Sequence, residues 1–151
     1  MVRKSILLVL LFSVSLFAND IIIKNSDYSV DETIENIKNI IVRKSQSENG
    51  LAVFTVIDHK ANAAKVNMQL NEAKVIIFGN PMVGTLLMQE DMTIALDLPL
   101  RILVYKDEKG QVKVAYRDGS WIKSHHFLQE DNLVKKVDGA MNKITDKART
   151  K

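Results

Sequence analysis

There is no cysteine among the 151 residues of this chain. Disulfides, thiol nucleophiles, Cys-X-X-Cys redox chemistry and cysteine-held zinc or iron–sulfur centres are therefore excluded. Stability has to come from an apolar core instead. With two prolines, six glycines and no low-complexity tract or internal repeat, nothing divides the chain by a linker, so one domain is expected. Signatures of the common hydrolases are missing too: no Ser-centred elbow, no His-Glu-X-X-His pair and no carboxylate-rich cluster. Gly79 and Gly84 follow a strand-like run, but a phosphate-cradling loop would need a third glycine and a Lys-Ser/Thr ending. Gly79 is expected instead to supply a backbone angle that other residues resist.

What is present begins with a targeting pattern. Arg3 and Lys4 precede an apolar run, Ile6 to Phe17, and Ala18 then offers a small residue before the polar Asn19 and Asp20. A basic n-region, a short h-region and a small residue at the cut describe a secretory signal peptide over residues 1–18, with Ser15 as the alternative cut. The run falls short of the ~20 apolar residues that span a bilayer, so no stable membrane anchor is expected after cleavage. Residues 19–151 would then form the mature domain in the periplasm. Cleavage also removes two of the 21 basic residues and none of the 18 acidic ones, lowering the formal charge from +3 to +1. Nucleic-acid binding thereby loses its compositional support.

Periodicity marks the elements that follow. Ile21 to Ile23 is a short β-branched strand. Ser29 and Glu32 form a capping box ahead of Val30, Ile34, Ile37 and Ile41, which predicts a helix over 30–45 with one apolar stripe facing the core. Strands are predicted over 51–58 and 72–78, with a short Ala-rich helix over 59–68 between them. Asn80 as cap and Pro81 in the first turn start a helix over 82–89, and a further helical turn over 91–96 stops before Pro99. Strands 100–106 and 111–117 flank the turn Asp107–Gly110 and form a hairpin that Asp118-Gly119 ends. A short helix over 121–128 and a terminal helix over 131–147 complete the chain. The hairpin rules out a wholly parallel sheet. The fold class is thus α+β: a mixed, largely antiparallel sheet with helices packed on one face.

Five features occur in one order: Ile57-Asp58-His59, Phe78-Gly79-Asn80-Pro81, Gly84-Thr85 with Leu87-Met88, Asp97-Leu98-Pro99-Leu100-Arg101, and Tyr116. With the helix before them they make the chain resemble the domain-of-unknown-function family 302 from about Tyr28 to His126. The resemblance implies an architecture like that of TATA-binding-protein halves, a homodimer, and exported, periplasmic bacterial members. It implies neither DNA binding nor an activity, and it leaves the tail Ala148–Lys151 unexplained.

Candidate chemistry is sparse. Asp58 would cap the helix after it with His59 in the first turn, although a strand-end His beside a carboxylate also suits a general base or a metal ligand. His125 and His126 point ~100° apart on a helix and would not ligate one ion together. Met82, Met88 and Met92 suit Cu(I) as soft ligands, but Met88 and Met92, spaced four apart among leucines, are expected as core packing. Arg101 is expected to pair with Asp97. Tyr116 and Trp121 would serve as amphipathic core residues or as stacking platforms for a ligand.

Three readings follow. The first is a periplasmic small-ligand-binding or accessory domain whose cleft uses His59, Asn80, Asp97, Arg101, Tyr116 and His126. The second is an enzyme or metal protein using His59 and Asp97. The third is a purely structural interaction protein. The residues name no cofactor and no resident metal, and both enzyme and binder stay open.

Overall fold

In the computed structural model, residues 21–45, 50–129 and 131–151 are described. The expected signal peptide, residues 1–18, lies outside them.

Strand β1 (Ile22–Asn25) leads into α1 (Val30–Ser45), whose first turn is closed by the expected capping box. The Glu32 amide donates to Ser29 Oγ at 3.2 Å, and the Ser29 amide donates to Glu32 Oε2 at 2.9 Å. β2 (Ala52–Asp58) and β3 (Ala73–Gly79) are joined through α2 (His59–Lys65). α3 (Pro81–Glu90) and a 3₁₀ turn, Met92–Leu96, carry the chain to β4 (Leu100–Lys106). β5 (Val112–Tyr116), α4 (Gly119–His125) and α5 (Asp131–Arg149) follow.

The five strands form one sheet in the order β1-β5-β4-β3-β2, antiparallel throughout. Because side chains alternate, the register sorts them cleanly into two faces. One face carries Ile76, Phe78, Ile102, Val104, Val114 and Tyr116, all buried against α1 and α5. Helix α1 contributes Val30, Ile34, Ile37 and Ile41 to this core, and α5 contributes Val137, Met141 and Ile144. Each such side chain stabilises the fold by roughly 1.5–3 kcal/mol of transfer free energy. The opposite face carries the cross-strand row Ile23, Ala115, Leu103, Val75 and Ile57. Ile23, at its edge, is 49% exposed.

Several local expectations change. Asp118 does not merely end the hairpin; its Oδ1 accepts the Trp121 amide at 3.0 Å and caps α4, which therefore starts at Gly119 and stops at His125. Gly79 has no positive φ. Its missing Cβ instead makes room for Phe54 and Pro99, each of which would stand 3.4 Å from a side chain there. Among the described glycines, positive φ falls at Gly110, in the β4–β5 turn, and at Gly50. Met88 packs against the core, whereas Met82 and Met92 are exposed.

Candidate functional site

The register sets up the site. Across β4 and β5, Ile102 pairs with Tyr116, and one step further out stand Arg101 and Arg117. Both arginines line a cleft of about 230 Å³ at this end of the sheet. Its apolar floor comes from Val75, Leu103 and Ala115 on the outer face, with Ile21 at the rim. Trp121 and Ile122 of α4 close one side, and Asp97 and Leu100 close another. A larger hollow of about 620 Å³ lies against residues 107–113, but it is the concavity of a single turn and draws in nothing from elsewhere in the fold.

Asp97 does not pair with Arg101. Its Oδ2 lies 2.8 Å from Nε2 of His126, whose side chain is only 6% exposed. Nδ1 of His126 is 3.2 Å from Thr93 Oγ1. The Thr93 hydroxyl donates to Asp91 Oδ1 at 2.6 Å, and the Phe127 amide donates to Asp91 Oδ2 at 3.0 Å. That hydroxyl first, and the Phe127 and Thr93 amides after it, hold the Asp91 carboxyl down at about 2. With both ring nitrogens engaged and the ring buried, His126 positions Asp97 and straps residues 126–129 onto the 3₁₀ turn. Its buried ring has little access to a substrate proton.

Arg101 is left to donate from Nη2 to the Leu96 carbonyl at 3.1 Å. The Arg117 guanidinium lies 4.2 Å from the centroid of the Trp121 ring, and His125 stacks on Trp121 at 4.3 Å. Tyr116 turns away into the core: its hydroxyl donates to Asn142 Oδ1 at 2.8 Å, and Lys24 Nζ lies 5.4 Å over its ring.

Of the residues picked out in the sequence, Asp97, Arg101 and Tyr116 thus border one cleft, with His126 directly behind Asp97. His59 and Asn80 do not join them. Asp58 Oδ1 accepts the Ala61 amide at 2.9 Å as the cap of α2, leaving His59 exposed in its first turn at the β2 edge of the sheet. Asn80 Oδ1 accepts the Met82 amide at 2.9 Å and caps α3. Among the described residues no group of three His, Asp or Glu side chains is placed to hold a metal ion. Sequence reasoning missed Arg117, Leu103 and Ala115. Alternation along 111–117 puts Lys113, Ala115 and Arg117 on one face, which is the signal that would have found two of them.

A five-stranded antiparallel sheet with helices on one face and a cleft at one end defines a single-domain α+β protein. The chain matches the profile of the family described as "Domain of unknown function DUF302" over residues 22–148 and belongs to that family. A solved relative, described as the crystal structure of uncharacterized conserved protein DUF302 from Bacillus stearothermophilus, is similar with a TM-score of 0.67 at 14% identity. That likeness covers 87% of this chain and 97% of the other, and at such low identity it concerns the fold alone. Fluoride-specific ion channel FluC 1 of Brucella suis biovar 1 (strain 1330) is 40% identical over 114 residues, which is 76% of this chain and 43% of that protein. Its counterpart from Brucella abortus biovar 1 (strain 9-941) is 40% identical over 76% of this chain and 40% of its own length. The chain therefore spans about two fifths of the curated relatives it matches. None of the described helices is long and apolar enough to cross a membrane.

Proposed function

We propose that this protein is a non-enzymatic accessory domain that binds a small ligand in the cleft bordered by Asp97, Arg101 and Trp121. The observation that carries the reading is the convergence there of five separated segments: Ile21, β3, the Asp97–Arg101 stretch, β5 and α4. A few polar groups aimed at an apolar floor are the usual make-up of a small-molecule site. An accessory role draws support from the relatives named as channels, in which a segment like this one is under half of a longer polypeptide. The leader-like pattern of residues 1–18 supports work in the periplasm, and the exposed Ile21 and Ile23 at the β1 edge support a symmetric dimer.

The test is amide chemical-shift mapping of the mature protein with a library of small fragments. The expected result is a set of hits whose shifts converge on residues 97–103, 115–117 and 121–122. Hits that gather elsewhere, or none at all, would sink the reading.

A further inference from the structure

Two arginines, Arg101 and Arg117, stand at the cleft. Arg101, in β4, and Arg117, the residue after β5, both line the cleft next to the Ile102–Tyr116 pair. Neither has a carboxylate partner among the described residues. Arg101 reaches only the Leu96 carbonyl, and Arg117 lies over Trp121. The acid best placed to neutralise them, Asp97, is held by His126 at 2.8 Å. Beneath this pair lies a floor of Val75, Leu103 and Ala115.

We propose that the cleft recognises a small amphipathic carboxylate, its head between Arg101 and Arg117 and its apolar remainder on Val75, Leu103 and Ala115. The ligand class follows from three features. The guanidinium fork matches the planar, two-oxygen geometry of a carboxylate, and two such forks satisfy one anion. The floor supplies no polar partner, so a bare inorganic ion would leave it wetted and unused. The volume, about 230 Å³, lies below the roughly 300–1,000 Å³ of drug-sized sites, which limits the remainder to a short chain or a single ring. The proposal rests on the cleft being the ligand site.

The experiment titrates the mature protein with hexanoate, with hexanamide of equal chain length but no charge, and with inorganic phosphate. Fluorescence of Trp121, the chain's single tryptophan, and amide shifts report binding. Hexanoate is expected to saturate with shifts at residues 101, 103, 115 and 117, and to bind at least about tenfold more tightly than hexanamide or phosphate. Arg101→Gln and Arg117→Gln, each altering an exposed side chain, are expected to stay folded by circular dichroism and to lose at least about tenfold in hexanoate affinity. Equal binding of hexanoate and hexanamide at the cleft overturns the anion preference and leaves the cleft as the site. Phosphate binding as tight as hexanoate overturns the amphipathic part. A cleft that none of the three perturbs overturns this proposal; fragment hits there would still keep the broader reading alive.

Discussion

His126→Ala is the substitution that most directly probes how the cleft is built. It removes a ring that is 6% exposed and breaks the 2.8 Å bond to Asp97 together with the 3.2 Å contact to Thr93. A hydrogen bond to a charged group contributes about 1.5–3 kcal/mol, and Asp97, 23% exposed, recovers part of that from water. The void left by the ring adds roughly 1 kcal/mol, so the expected loss is about 2–3 kcal/mol. At ~2.1 cal/mol/K per residue over roughly 130 residues, each kcal/mol shifts the midpoint by about 4 °C, giving a fall of about 8–12 °C at pH 7. The strap remains tied by the Phe127 amide to Asp91 and by the Gln129 amide to Glu90 at 2.6 Å, so the variant should still fold. Scanning calorimetry reads the stability. Hexanoate titration reads the second consequence: freed Asp97, next in sequence to the Leu96 carbonyl that Arg101 already contacts, pairs with Arg101 and weakens anion binding several-fold. A midpoint within about 2 °C of wild type would refute the hydrogen-bond argument. A lowered midpoint with unchanged hexanoate affinity would leave His126 a structural strap and refute its positioning role.

Two further outcomes are expected. A Cβ at Gly119 would stand 2.6 Å from the Val134 carbonyl oxygen and 3.0 Å from Asp138 Oδ1, so Gly119→Ala must push α4 off α5. A loss of about 1–3 kcal/mol in urea titration is expected, and an unchanged midpoint would contradict that contact. Asp91, depressed to about 2 from an ordinary 3.8, contributes stability that is fully present above pH ~4 and is lost as pH falls through about 2. Asp91→Asn should therefore be less stable at neutral pH and show a shallower decline between pH 4 and 2; parallel acid curves would rule this out.

Much of the fold was legible locally. The Ser29–Glu32 capping box, the caps at Asp58 and Asn80, the stripe of α1 and the β4–β5 hairpin rest on interactions spanning a few residues, and each is present. The start of α4 was missed because an Asp-Gly pair serves equally as a hairpin stop and as a helix cap. Its choice depends on α5, where Asp138 Oδ1 takes the Gly119 amide at 2.5 Å. Met92 was misjudged for a similar reason. Its spacing suits a core stripe, but the stretch is a 3₁₀ turn with that residue 71% exposed.

The site was legible in its residue types and not in its pairings. Sequence proximity made Asp97 and Arg101 partners, yet a strap 29 residues further along delivers His126 to Asp97. By itself, then, the sequence determined the class of fold, most of the elements and the caps at Ser29, Asp58 and Asn80, because short-range hydrogen bonding and apolar periodicity decide those. Only the tertiary structure decided that Arg101 and Arg117 border one cleft over an apolar floor, neither with a carboxylate partner among the described residues. Strand register and the docking of α4 are set by burial across the whole sheet, which no local stretch of the chain encodes.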